Sequence, residues 1–195
     1  MSGASPSDMH VCPASHAGWL STPVRRLVNN PTRILAGLVE QGQTVADLGC
    51  GPGFFTLPLA EIVGAEGRVI AVDVQQAMLE KLKERAERAG LAGRIELRPC
   101  AAGALGLTEQ VDAALAFYML HEVPDQRRFL DEVAAALKPG GRFLLVEPHG
   151  HVGAEAFARS LALATEAGMR LAQRPRVFFS RTALLVAGAT PAPAR

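Results

Sequence analysis

Val45-Ala46-Asp47-Leu48-Gly49-Cys50-Gly51-Pro52-Gly53 decides how this chain is read. The apolar run TVADLGC (44–50) enters a turn with three glycines, and FFTLPLAEIVG follows with helical character. Glycines at a strand-to-helix turn take positive φ without a Cβ clash and let bare backbone approach a ligand. About twenty residues further on, Asp73 closes a second apolar run, RVIAVDV (68–74). A carboxylate at that spacing accepts both ribose hydroxyls of an adenosine ligand.

The turn discriminates between nucleotides. The dinucleotide pattern G-x-G-x-x-G needs its third glycine for close helix–strand packing. That place is Phe54, and no Lys or Arg stands in the turn to meet a pyrophosphate. A phosphate-binding loop needs Gly-Lys-Ser/Thr, which is absent. The turn therefore suits adenosine without a diphosphate. The plain alternative is a glycine-rich joint with no ligand.

Outward from the turn, strand-length apolar runs alternate with helical patterns. RIELRPC (94–100), VDAALAFY (111–118) and GRFLLVEP (141–148) join the two strands already named. Several are nearly continuous in Val, Ile, Leu and Ala, as strands covered on both faces require. Met78, Leu79, Leu82, Ala86 and Ala89 form one helical stripe, and Leu130, Val133, Ala134 and Leu137 another. Pro124 opens the second helix and Pro139-Gly140-Gly141 is expected to stop it. Asn30-Pro31 reads as a cap and first turn of a helix running through Val39. This alternation predicts an α/β, doubly wound, mostly parallel sheet covered by helices. At the end, MRLAQRP and VFFSRTALLVAG lie close enough to pair as a hairpin and make the edge antiparallel.

Composition sets the bounds. With 195 residues and 49% hydrophobic content, one domain can bury a sizeable core unaided. A net charge of +1 argues against a nucleic-acid-wrapping or polybasic membrane protein. Three scattered cysteines, Cys12, Cys50 and Cys100, read as reduced thiols rather than a disulfide framework. No run reaches the length of a membrane span, and the first residues lack a secretory pattern, so a cytoplasmic location is expected.

Four ordered segments, VADLGCGPG, VIAVDV, VDAALAFYMLHEVPD and LKPGGRFLLVEP, resemble the class I S-adenosylmethionine-dependent methyltransferases. The resemblance spans about residues 30–187 and is nearest to small-molecule methyltransferases that include the quinone-biosynthesis C-methyltransferases. It implies a Rossmann-like, seven-stranded sheet with an antiparallel strand near the C-terminus. The catalytic domain is then 31–188, with a tail and small cap over 1–30 and a tail over 189–195. It further implies that Asp47 orients the methionyl end, with Gly49, Cys50 and Gly51 bordering it and Gly53 completing the turn. Asp73 would hold the ribose, and Val74 and Met78 would pack on the adenine. Cys100 and Ala101 match the loop that borders the adenine. Family members often place an acid there; RPCAAG has none, which leaves the Ala101 backbone for the adenine amine. Phe117 matches a position whose carbonyl meets the methionyl amine.

Methyl transfer needs alignment more than machinery, and a base only when the acceptor must lose a proton. Tyr118 and His121 follow the fourth strand, and His149 and His151 the fifth. In an α/β sheet both segments reach the carboxyl edge beside the ligand crevice. Tyr118, His121 and His149 are the candidate bases; packing or loop roles are the bland alternatives, as is an exposed loop charge for Glu122. His149 and His151, with Glu147 or Cys12, do not make a diagnostic zinc pattern, and no metal is expected. The segment HVCPASHAGWLSTPVRRLVNN would cap the sheet edge, with Trp19, Leu20, Leu27 and Val28 inward and His16, Arg25 and Arg26 nearby.

Enzymes methylating the exocyclic amine of a nucleic-acid base resemble one another in an Asn/Asp-Pro-Pro-Tyr/Phe segment; here the place reads Ala116-Phe117-Tyr118-Met119. A small-molecule acceptor is therefore expected, with neither nucleic acid nor membrane as partner and a homodimer left open. The competing readings are an inactive module binding S-adenosylmethionine or S-adenosylhomocysteine, a metalloid methyltransferase using Cys12, and a nicotinamide-dependent oxidoreductase.

Overall fold

The computed structural model describes residues 30–101 and 104–188. A short helix α1 (Pro31–Leu35) leads into β1 (Thr44–Leu48), α2 (Thr56–Val63), β2 (Arg68–Asp73), α3 (Gln76–Arg88) and β3 (Ile95–Pro99). The second half runs β4 (Val111–Phe117), α4 (Gln126–Ala136), β5 (Leu137–Pro148), α5 (Ala154–Glu166), β6 (Met169–Gln173) and β7 (Ser180–Ala187). The seven strands lie in the order β3-β2-β1-β4-β5-β7-β6. β1 pairs in parallel with both β2 and β4, so the chain changes winding direction on either side of β1. That reversal opens a crevice at the carboxyl ends of β1 and β4, where open α/β sheets bind ligands. β7 runs antiparallel to both β5 and β6, as the terminal hairpin predicts.

Both faces of the sheet are covered, which explains the continuous apolar strands. On one face Ala46, Leu48, Ile70, Val72, Phe143 and Leu145 pack with Phe129, Leu130 and Val133 of α4 and Phe157 of α5. On the other, Val45, Leu115, Leu144 and Val146 meet Leu35 of α1 and Leu59 and Val63 of α2. α3 buries Leu79 and Leu82 beside Ala71 of β2.

Three local features differ from or sharpen the sequence expectation. α1 is capped by Asn30, whose Oδ1 accepts the Arg33 N–H at 3.3 Å, but it ends at Leu35 rather than Val39. The chain turns there, and Gly37 takes φ +74° just beyond. α4 is capped by Asp125, which accepts the Arg128 N–H at 3.0 Å, and it ends at Ala136, before the Pro139-Gly140-Gly141 stop. Proline disfavours helical geometry in the residue before it, and Leu137 already pairs with Val111 in the sheet. Gly53 takes φ +85°, and a Cβ there would run into Leu82 Cδ1 of α3. Gly53→Ala is therefore expected to destabilise the chain by ~1–3 kcal/mol through combined backbone strain and overpacking. The shift of the urea midpoint measures it.

Candidate functional site

The crevice holds a cavity of about 380 Å³ at the ends of β1, β2 and β4. This is within the usual range for a small-molecule site. Its walls combine the glycine turn, the end of β2, the loop after β3 and the residues following β4.

The turn is held as an extension of the sheet. The N–H groups of Gly49 and Cys50 both donate to the Val72 carbonyl, at 2.8 and 3.0 Å. Gly49 and Gly51 take φ of +69° and +52°, which exposes their backbone without a side chain in the way. Among the described residues, a Cβ on Gly51 would meet nothing within 4 Å, so its free side is open. Asp73, at the end of β2, turns its carboxylate onto this turn. Oδ2 accepts the Gly51 N–H at 2.8 Å and Oδ1 the Gln75 N–H at 2.8 Å. Burial pushes its pKa up, and the backbone N–H groups of Gln75, Gly51 and Val74 pull against that rise. Val74, Met78, Cys100 and Ala101 line the cavity next to it.

Asp47 lies deeper. Side-chain alternation along β1 places it with Val45 on the α2 side, where it is only 3% exposed. Oδ2 accepts the Thr56 hydroxyl at 2.6 Å, from the first residue of α2. The other carboxylate oxygen has no protein partner among the described residues. Burial raises the Asp47 pKa to about 7, the Thr56 bond opposing and the Asp73 charge adding to the rise. Burial likewise raises the Cys50 thiol well above its ordinary value and the Cys100 thiol to about 11.

The far wall is aromatic and imidazole-rich. Phe55, Phe117 and Tyr118 stack in succession, with centroids 4.4 and 4.2 Å apart. Tyr118 has φ +60°, an uncommon conformation for a side chain of this size. Its hydroxyl lies 2.5 Å from Ser180 Oγ, which in turn donates to the Phe178 carbonyl at 2.8 Å. His121 sits in a 3-10 turn (Leu120–Glu122) after β4. Its Nδ1 is 2.5 Å from Oε2 of Glu147, which raises the His121 pKa against the opposing effect of burial.

Of the sequence-predicted residues, Asp47, Gly49, Cys50, Gly51, Asp73, Val74, Met78, Cys100, Ala101, Phe117, Tyr118 and His121 all border this cavity. Gly53 is absent from its lining and instead makes room for α3. His149 is absent too: its ring packs on Phe179 at 5.5 Å, while His151 reaches the cavity and meets the His121 ring edge-on. Thr56 and Glu147 gain a significance that their types alone do not reveal. The available signal for Glu147 is a single acid in the buried run LLVEP. Cys12, His16, Trp19, Arg25 and Arg26 lie outside the described residues. Among the described residues, no cluster of three or more His, Cys, Asp or Glu is placed to hold a metal ion, and no helix is long and apolar enough to cross a membrane.

Comparison with known proteins points one way. The family model described as a methyltransferase domain matches residues 45–141. Over 110 residues the chain is 34% identical to the ubiquinone/menaquinone biosynthesis C-methyltransferase UbiE of Klebsiella pneumoniae and to that of Escherichia coli. These matches cover 56% of this chain but 44% of each relative, less than half its length. A SAM-dependent methyltransferase from Aquifex aeolicus superposes with a TM-score of 0.80 at 24% identity, over 90% of this chain and 98% of that one. A SAM-dependent O-methyltransferase from Thermotoga maritima gives 0.67 at 22%, over 84% and 66%. At such identities the structural likeness speaks for the fold.

Proposed function

We propose that the chain is a class I S-adenosylmethionine-dependent methyltransferase, which moves the cofactor's methyl group to a small-molecule acceptor. One observation carries the reading. The Asp73 carboxylate faces a glycine turn of open backbone, across a cavity lined by no Lys or Arg among the described residues. That arrangement suits a ribose and leaves no cation for a diphosphate.

The residues present fit the cofactor. The open side of Gly51 leaves room beside the turn, and Asp47 offers a buried carboxylate oxygen without a donor among the described residues, suited to an ammonium. Asp73 would hold the ribose, with Val74 and Met78 on the adenine and Cys100 and Ala101 at its edge. Asp47, Gly49, Cys50 and the Phe117 carbonyl would hold the methionyl end. When bound, the cofactor supplies a methyl on a cationic sulfur whose departure leaves a neutral thioether. The chain's own contribution is then position and dryness: well-oriented reactants gain roughly 7–11 kcal/mol. Phe55, Phe117 and Tyr118 supply an apolar wall that excludes water from the acceptor side.

The match covers too little of the quinone-biosynthesis relatives to carry their acceptor across. Calorimetry with S-adenosylhomocysteine and with NAD tests the cofactor reading: binding of the first and not the second is expected. Binding of NAD alone would replace this reading with a nicotinamide enzyme. Transfer of a labelled methyl into metabolite pools tests turnover and separates an enzyme from a binding module.

A further inference from the structure

We propose that His121 takes a proton from the acceptor, that Glu147 is its positioning residue, and that the acceptor presents a phenolic or enolic hydroxyl on a flat ring. The inference rests on the methyltransferase reading above and deepens it.

Glu147 stands at the end of β5 after four buried apolar residues, Phe143 to Val146, and is 2% exposed. A carboxylate buried there is costly unless its oxygens find donors. Both do. Oε1 accepts the Leu120 N–H at 2.8 Å, and Oε2 takes His121 Nδ1 at 2.5 Å. Glu147 thus ties the end of β5 to the turn after β4. With Nδ1–H donating to a carboxylate, the neutral imidazole carries its lone pair on Nε2. His121 lines the cavity, so a proton acceptor there has a buried counter-charge behind it. Glu147 on β5 and Glu122 beside it in the turn act on its charge, and the ring of His151 faces it 5.5 Å away and perpendicular.

The other candidates are placed differently. The Tyr118 hydroxyl is engaged with Ser180, whose own proton goes to the Phe178 carbonyl. His149 is not part of the cavity lining. His121 alone among the three combines a place on the cavity with a buried carboxylate partner.

Acidity selects the acceptor. A phenol such as tyrosine's titrates near roughly 10, a few units from an imidazole strengthened by a carboxylate. A simple alcohol is far too weak an acid for such a base. The aromatic wall of Phe55, Phe117 and Tyr118 suits a flat ring, which stacks favourably on such faces. In the step itself, the hydroxyl proton moves to Nε2. The acceptor's electron pair, on oxygen or on the conjugated carbon, forms the new bond to the methyl carbon. The carbon–sulfur bond breaks and its pair stays on sulfur. His121 is left as an imidazolium against Glu147 and returns the proton to water.

The test uses the full chain, labelled S-adenosylmethionine and four probes: 1-naphthol, 4-hydroxycoumarin, thiophenol and N,N-dimethylaniline. Methyl transfer is expected to 1-naphthol or 4-hydroxycoumarin. His121→Asn should lower kcat for that probe by ~10²-fold or more and remove the rise of rate with pH, while S-adenosylhomocysteine affinity stays within twofold. Independently of turnover, Glu147→Gln retains an acceptor for Leu120 and should lower the midpoint of the His121 ring titration seen by NMR in the ligand-free protein. If Glu147→Gln does not fold, His121→Asn decides alone. Transfer only to thiophenol or dimethylaniline, or to none of the four, overturns the proposal. So does a His121→Asn rate within threefold of the parent, or an unmoved midpoint. Loss of S-adenosylhomocysteine binding in the parent chain is a separate result and sinks the cofactor reading instead.

Discussion

Replacing Asp73 with alanine is expected to weaken S-adenosylhomocysteine binding by ~3 kcal/mol, roughly a hundredfold. Two losses add. A ribose in the crevice would lose its charged acceptor, and hydrogen bonds to charged groups contribute ~1.5–3 kcal/mol. The binding surface would also loosen, because Asp73 satisfies the N–H groups of Gly51 and Gln75 at 2.8 Å each. Asp73→Asn separates these effects. The amide keeps one acceptor oxygen, so it should hold one of the two N–H groups and lose the charge. Calorimetry on both variants, with thermal melts to confirm folding, gives the two contributions. Affinity unchanged in a folded Asp73→Ala would remove this carboxylate from the site and leave the glycine turn as a mere joint.

The parts of this site that were legible in the sequence are those with rigid backbone requirements. Gly49 and Gly51 are readable because positive φ at a strand end restricts the choice of residue. Asp73 is readable because the β1–α2–β2 unit sets its distance from the turn. The sheet itself follows from strands apolar on both sides. The misreadings have a common physical origin in local competition. At α1 and α4 the apolar period continues beyond the helix, so Leu38, Val39 and Leu137 mimic further turns while serving a loop and a strand. Side-chain partnerships across the sheet are harder still. Glu147 and His121 are 26 residues apart and meet only because β4 and β5 are neighbours with a defined register. Likewise, which of His149 and His151 faces the cavity depends on the loop after β5, where Pro148 accepts the N–H groups of both His151 and Val152.

Asp47→Asn is expected to make the ligand-free chain more stable above neutral pH, by roughly 4 kcal/mol. Asp47 titrates near 7 in the folded chain against an ordinary 3.8, because burial outweighs the Thr56 hydrogen bond. Below about pH 4 the group is protonated whether the chain is folded or not, so it has no effect. Between about 4 and 7 the unfolded chain gives up the proton while the folded chain keeps it. The unfolded state then binds fewer protons, and stability falls as pH rises. Above about 7 the full penalty is present and constant. Asp112 has the opposite sign, since Lys138 and the Thr44 N–H lower its pKa and its stabilising effect is lost in acid. The quantity to follow is therefore the difference between parent and Asp47→Asn across pH 4–8, which cancels Asp112 and other shared groups. That difference should grow from near zero to its plateau at about pH 7; a flat difference would mean that Asp47 ionises like an exposed carboxylate. The cost has a functional counterpart. A cation seated at Asp47 would restore the charge balance, so S-adenosylhomocysteine affinity in the parent should rise with pH up to about 7. In Asp47→Asn that rise should vanish while binding weakens, so that the residue that destabilises the empty protein is the one that tightens its grip on the ligand.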